Sequence, residues 1–277
     1  MAEAYLENKN RRLFNALSAP ELYTRHFSEK QDTITLRQGM SMRTGTDRQT
    51  WQFETLSEVD NKDTGLRASV LIDRSTGHAI VLYKGMDMPL RDEGNGRFAF
   101  LKDAKTAIQS WIYDGENQQT KQAEQLYLDT VDHPDVKSVE VIGFSLGTLH
   151  ANYVTAKYDA KSTVLADLGL SKDGLTKIFN ERASNDSNFN LSSLKNNMAE
   201  NMTVLRLKAD LVPALFGEGP SRGKIIDLDK GDYPDLKGMS HLSSIYNRSA
   251  QYLEEQVIMS AEMQRQPSPT MAAPVPA

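Results

Sequence analysis

Between Val139 and His150 the chain reads V-E-V-I-G-F-S-L-G-T-L-H, β-branched residues that run into a serine between two glycines and on into a helix-compatible stretch. Few tertiary arrangements accept that text. Strand, sharp turn and helix must follow one another directly, and the glycines let the turning backbone pass close to its neighbours while the serine hydroxyl is held above the strand end. A strand that hands straight on to a helix is the building step of a parallel sheet, because parallel strands need a crossover connection. The fold class read from this feature is α/β, with a mainly parallel central sheet, helices on both faces and a helical insertion.

The flanking text supplies the other elements. Residues 1–18 read as a polar helix with Leu6, Leu13, Phe14 and Leu17 as its apolar positions, stopped by Pro20, and residues 31–50 are polar and turn-rich. Alternation and branching predict strands over 51–56, 66–72 and 78–83, the last two joined as a hairpin through D-R-S-T-G at 73–77. An excursion over 86–115, with a helix around 98–113, has the length and position of a lid. A helix over 117–131 leads to the Val139 strand. Beyond the serine come a helix over 146–157, a strand over 162–168, a helical insertion over 171–201, strands over 202–208 and 224–228, and a last helix over 241–258. The tail 259–277 is rich in proline and small residues and reads as disordered. The domain reading is an N-terminal helical or irregular extension over 1–50, a globular domain over 51–258, and the tail.

Composition removes several function classes. Lys and Arg number 32 against 37 Asp and Glu, a net charge of -5, with no basic cluster to track phosphates, so nucleic acid is not an expected partner. No cysteine is present, which excludes disulfides, thiolate nucleophiles and cysteine metal sites. No apolar run is long enough to span a membrane, and the mean hydropathy is -0.52. The first residues lack the apolar core of a secretory signal, so the expected location is the cytoplasm, or outside the cell by a route without a cleaved signal.

A serine hydroxyl is a weak nucleophile at neutral pH and needs a histidine to take its proton and a carboxylate to orient that histidine. In chains that use this elbow the partners follow in the order serine, acid, histidine. Here Ser145 is the nucleophile candidate. Asp210, just past the predicted 202–208 strand, is the candidate acid, with Asp167, Asp227, Asp229, Asp232 and Asp235 as rivals. Of the five histidines only His241 follows Asp210; His26, His78 and His133 precede the serine and His150 lies on the elbow helix. Backbone N–H groups must meet the oxyanion, one from the residue after the nucleophile and one from the loop after an earlier strand, which names Leu146 and Met86.

These residues carry a resemblance. Tyr83-Lys84-Gly85-Met86, Gly143-Phe144-Ser145-Leu146-Gly147-Thr148 and Asp210-Leu211-Val212-Pro213 are similar to the three motifs of the lipase class 3 group of α/β-hydrolases, including its bacterial lipase-like relatives, over about residues 79–252. The resemblance implies the α/β-hydrolase fold and favours Asp210 over its rivals. Three positions depart from the family: Met86 replaces a hydroxyl residue that adds an oxyanion hydrogen bond, Phe144 replaces histidine, and Thr148 replaces glycine. Loss of an oxyanion donor typically costs about 3 kcal/mol.

The expected function is a serine carboxylic-ester hydrolase, with a small-molecule or lipid ester as substrate, no cofactor and no metal. The predicted lid carries Asp87, Arg91, Asp92, Glu93, Arg97, Lys102, Asp103 and Lys105, which suits soluble esters or phospholipid head groups better than neutral fat and allows peripheral contact with a membrane. A phospholipase A1-like effector is therefore a second reading, with Phe98, Phe100, Leu101, Trp111 and Ile112 as acyl contacts or as core. A non-catalytic lipase-like binding protein is a third. An acyltransferase, which would pass the acyl group to an acceptor other than water, needs the same triad and is a fourth.

Overall fold

The computed structural model describes residues 16–17, 19–24, 26–27, 33–37, 50–85, 118–207 and 223–228, with the helical positions 246, 249, 250 and 253. Among the described residues, eight strands form one sheet whose spatial order is the order of the sequence. They are β1 (Thr33–Arg37), β2 (Thr50–Asp60), β3 (Arg67–Asp73), β4 (His78–Tyr83), β5 (Ser138–Phe144), β6 (Lys161–Leu165), β7 (Met202–Leu207) and β8 (Lys224–Leu228). The first three pairings are antiparallel and the run from β4 to β8 is parallel. Four helices lie along the crossovers: α1 (Gln118–Val131), α2 (Gly147–Tyr158), α3 (Lys172–Asn185) and α4 (Leu191–Asn201).

That strand order decides where the helices go. Parallel crossovers are right-handed, so a sheet that grows steadily in one direction receives every crossover helix on the same face. Accordingly Leu126 of α1, Val154 of α2, Leu175 of α3 and Leu194 of α4 share one core with Val81, Val141, Val164 and Val204. The opposite face, with Leu71, Leu82, Ile142, Phe144, Leu165 and Leu205, would stand bare if the crossovers were all. It is covered by the two ends of the chain: Leu17, Leu22 and Tyr23 from one, Tyr246 and Ala250 from the other. Each large apolar side chain buried there contributes about 1.5–3 kcal/mol, so the stretch expected to be an extension supplies part of the core on that face of the sheet.

Strand residues alternate between the two cores with the period of two that the pleat dictates. In β4, Ile80 and Leu82 face one core and Ala79, Val81 and Tyr83 the other. Strand β2 breaks parity: Phe53 and Val59 lie on opposite faces although both are odd-numbered. The pairing register shifts between Thr55 and Ser57, and the one extra residue of that bulge flips every side chain beyond it.

Several elements differ from expectation. Strand β1 lies in text read as turns. Strand β2 continues to Asp60, four residues past its predicted end. Strand β6 stops at Leu165 rather than 168, because Ala166 has φ 54°, a left-handed conformation that no strand continues through. Pro20 does not end the helical residues: they lie on both sides of it, at 16–17 and through 19–24. The predicted lid over 86–115, the last helix over most of its length and the tail lie outside the described residues.

The insertion between β6 and β7 is anchored at the end of α2. Arg182 of α3 makes a two-pronged bond to Asp159 at 2.8 and 2.6 Å and reaches the Ala156 carbonyl, while Asn197 of α4 donates to the same carboxylate at 2.8 Å. Burial would raise the Asp159 carboxyl, but the Arg182 and Asn197 bonds outweigh it and hold it below the usual range. Ser171 and Asn190 cap α3 and α4 by accepting the N–H of Gly174 and Ser193.

Candidate active site

The parallel strands set their carboxyl ends on one edge of the sheet, where Tyr83 pairs with Gly143 and Phe144 with Leu165. Strand β5 is increasingly buried toward that edge and ends at Phe144. Helix α2 begins at Gly147, so Ser145 and Leu146 alone make the reversal. Its geometry leaves little freedom: a Cβ on Gly147 would stand 2.1 Å from the Tyr83 carbonyl oxygen, which no side chain survives. Ser145 has φ 53°, a left-handed conformation strained for a residue with a side chain by about 1–2 kcal/mol. Its neighbours Phe144, Leu146, Gly147 and Thr148 are buried and Ser145 is half-buried. The strained residue is therefore the half-exposed position of an otherwise buried turn, at the head of a helix, beside the carboxyl ends of a parallel sheet. The fold is that of an α/β-hydrolase.

Tertiary bonds hold the elbow of this hydrolase fold on both sides. The Ser145 N–H donates to the Leu165 carbonyl at 3.0 Å, and the Ser145 carbonyl accepts from the Thr148 N–H at 2.9 Å. Leu146, at the N-cap of α2, presents an N–H of the kind that no helix pairs internally, at the positive end of the helix dipole and with no acidic residue in the first turn to compete for it.

The second wall of the site is the exit of β4. A Cβ on Gly85 would lie 2.7 Å from the Phe144 carbonyl and 3.0 Å from the Ser145 Cβ, so only glycine lets this backbone touch the Ser145 turn. The Gly85 N–H donates to the Tyr23 hydroxyl at 3.0 Å. That amide is thus engaged, and the next one along belongs to Met86. Tyr23 is buried, and its ring packs 5.2 Å from Phe144 and 4.8 Å from Phe27. Phe144 also meets Tyr246 edge-on at 5.9 Å. Phe144 is therefore the centre of an aromatic cluster whose other rings come from residues before β1 and after β8.

Of the five candidate site residues, the structure brings Ser145 and Leu146 together at the elbow. Met86, Asp210 and His241 lie outside the described residues. Of the rival acids, Asp167 is engaged with the Asn152 amide at 2.7 Å and the Gly169 N–H at 2.9 Å, and Asp227 with Arg206 at 2.7 Å. The other four histidines are occupied elsewhere. His26 shares a 2.7 Å hydrogen bond with Ser69 under the N-terminal helical residues, and burial pushes its pKa down against a partial pull up from Glu58. His78 meets Ser138 at 3.0 Å at the opposite ends of β4 and β5 from Ser145. His133 accepts the Asp135 N–H, and His150 is buried on α2 with its ring 5.6 Å from Tyr83 and its pKa lowered to about 4 by burial. Among the described residues no cluster of His, Cys, Asp or Glu could hold a metal ion, and no helix is long and apolar enough to cross a membrane.

Two residues that shape the site escaped the sequence reading. Tyr23 lies 62 residues from its partner Gly85 and outside the span of the family resemblance, so no local pattern marked it. Thr148 was visible only as a departure from glycine; in place it is fully buried, with its hydroxyl 2.6 Å from the Ser145 carbonyl.

No protein-family model matches this chain, and no curated protein does. Solved structures similar to it include a mutant MDLA from Penicillium cyclopium, with a TM-score of 0.35 and 15% identity over 73% of this chain and 72% of that one. Rhizomucor miehei lipase in its propeptide complex gives a TM-score of 0.37 at 11% identity, covering 80% of this chain and 68% of the other. A further fungal lipase gives 0.35 at 13% identity over 73% and 72%.

Proposed function

We propose that the chain is a serine carboxylic-ester hydrolase of the lipase and esterase type. The observation that carries the reading is Ser145, a residue with a side chain held at φ 53° and half-exposed between buried neighbours at the head of α2. Asp159 and Ala166 share this backbone conformation, at φ 55° and 54°, and what sets Ser145 apart is that its strain falls on a half-exposed hydroxyl residue at the strand-to-helix reversal.

In the proposed mechanism the Ser145 hydroxyl attacks the ester carbonyl while His241 takes its proton, and Asp210 orients His241 and stabilises its charged form. The Leu146 and Met86 N–H groups hold the oxyanion. His241 returns the proton to the departing alcohol, leaving an acyl-Ser145 ester. Water, deprotonated by His241, then releases the acid. Chain order supports these roles: Asp210 follows Leu207, the last residue of β7, by three positions, and β7 ends on the same edge as β5. His241 precedes Tyr246 by five positions, and Tyr246 packs on Phe144, the residue before the nucleophile. The substrate class is an acyl ester, soluble or presented at a lipid surface.

Intact-mass spectrometry after exposure to a fluorophosphonate tests the reading, together with turnover of p-nitrophenyl esters of short and long acyl chains. One adduct is expected, absent in Ser145→Ala, with turnover lost in parallel. Folded protein that takes no adduct and turns over no ester would exclude the hydrolase and leave a binding protein on a hydrolase fold.

A further inference from the structure

The loop that follows β6 runs Ala166-Asp167-Leu168-Gly169 and carries left-handed backbone at both ends, φ 54° at Ala166 and 67° at Gly169. Two side chains one turn apart on α2 grip it. The Asn152 amide donates to the Asp167 carboxylate at 2.7 Å, and the Leu168 N–H donates to the Thr148 hydroxyl at 3.1 Å. The same Thr148 hydroxyl donates to the Ser145 carbonyl at 2.6 Å. One buried oxygen therefore joins the nucleophile turn to the loop beside it, and both of its hydrogen-bonding roles are accounted for.

Ser145 needs such a tie. Rotation of its backbone out of the left-handed region would relieve strain and swing the hydroxyl away from the edge of the sheet. Motion of that kind must carry the Ser145 carbonyl with it, and the carbonyl is held by two donors, the Thr148 N–H and the Thr148 hydroxyl. The N–H belongs to any residue at this position. The hydroxyl does not, and its second bond, from the Leu168 N–H, fixes it against a loop that is itself pinned through Asp167.

We infer that Thr148 is a positioning residue for the nucleophile, its hydroxyl holding Ser145 in the strained conformation by bridging the Ser145 carbonyl and the Leu168 N–H. The inference rests on the reading of Ser145 as a nucleophile. It gives the departure from glycine at this position a chemical purpose: the hydroxyl side chain adds a strap that glycine cannot.

The test compares the wild-type chain with Thr148→Val, which keeps the shape, Thr148→Ala, which removes the hydroxyl in a smaller side chain, and Thr148→Ser, which restores it. Second-order inactivation by a fluorophosphonate and kcat and KM on a p-nitrophenyl ester are read alongside the thermal midpoint. Val and Ala are expected to inactivate about 10-fold more slowly and to lose kcat by the same factor at unchanged KM, the scale of one lost hydrogen bond, while Ser recovers most of the rate. Should Val fail to fold, the Ala and Ser pair decides. Ala or Val reacting at the wild-type rate, or Ser as slow as Ala, overturns the positioning role while leaving the hydrolase standing. A wild-type chain that takes no adduct overturns the hydrolase reading and this inference with it.

Discussion

The hairpin turn between β3 and β4 and the elbow between β5 and α2 both require left-handed backbone, and they are made of different materials. At the hairpin the residue with positive φ is Gly77, at 72°, which carries no strain: Asp73 accepts from the Ser75 N–H and hydroxyl, the Gly77 N–H returns to the Asp73 carbonyl at 2.8 Å, and the Gly77 carbonyl accepts from the Lys137 N–H at 2.8 Å. At the elbow the residue is a serine, and it is held on both sides, its carbonyl by Thr148 three positions on and its N–H by Leu165 on the neighbouring strand. A turn that only has to reverse the chain can choose its residue to suit the backbone. A turn that must present one particular side chain has to take the backbone that this side chain dislikes and be held there by its surroundings.

If that difference is real, crowding should damage the two turns unequally. Gly147→Ala drives a Cβ into the Tyr83 carbonyl, backbone against backbone, and is expected to cost about 4 kcal/mol or more and to abolish fluorophosphonate labelling. Gly77→Ala meets the Asp135 carbonyl at 2.9 Å and a lysine stem that can move, and should cost about 2 kcal/mol with labelling intact. Urea unfolding of both variants checks the pair.

Acid should separate the same regions. His150 lies under the elbow with a folded pKa of about 4 against 6.5 for the free side chain, so the unfolded chain binds the extra proton first. Its contribution is complete above pH 6.5 and is lost as the pH falls toward 4, by about 3 kcal/mol in all. Asp73 in the hairpin turn is also shifted down: burial opposes the shift, and the bonds from Ser75 and Thr76 outweigh it. Its contribution therefore survives until the pH drops below the ordinary carboxylate value. Thermal midpoints from pH 7.5 to 4 should fall steeply for the wild type and less steeply for His150→Phe, which keeps an aromatic ring against Tyr83.

The smallest effect is the most direct reading of strain. Ser145→Gly should stabilise the fold by up to about 1 kcal/mol while eliminating labelling, and Ser145→Ala should eliminate labelling with stability unchanged. A loss of stability in the glycine variant would mean that the serine side chain itself holds the turn.

What the sequence made legible follows from how far each signal reaches along the chain. Strand β8 has the bounds its branched residues predict, and the hairpin and the elbow were visible because a tight turn demands glycine at fixed spacing. Strand β1 was missed although T-I-T-L-R alternates, because its five residues sit among turn-forming text. The far half of β2, S-E-V-D, is exposed except for the half-buried Val59 and so reads as polar. At the site, Ser145 and Leu146 were legible because the Gly-x-Ser-x-Gly spacing marks the turn locally, even though the Leu165 bond that helps hold it comes from the fold. His241 could be ranked only by chain order and Asp210 by chain order, strand position and the resemblance, and Tyr23 could not be found at all, because its bond to Gly85 is created by the sheet face that the crossovers leave open.

The sequential strand order also has a consequence for synthesis. Each strand pairs with the one translated just before it, so the sheet can extend as the chain leaves the ribosome. The elbow's own tethers, Leu165 and Leu168, follow Ser145 closely and can set the strained turn early. Tyr246 comes late. Until it is made, the aromatic seat around Phe144 is missing one wall, and in the mechanism proposed above the proton carrier, His241, lies only five residues before it. On that mechanism a nascent chain would form the Ser145 turn before its base, and reactivity would begin only once His241 has been made and placed.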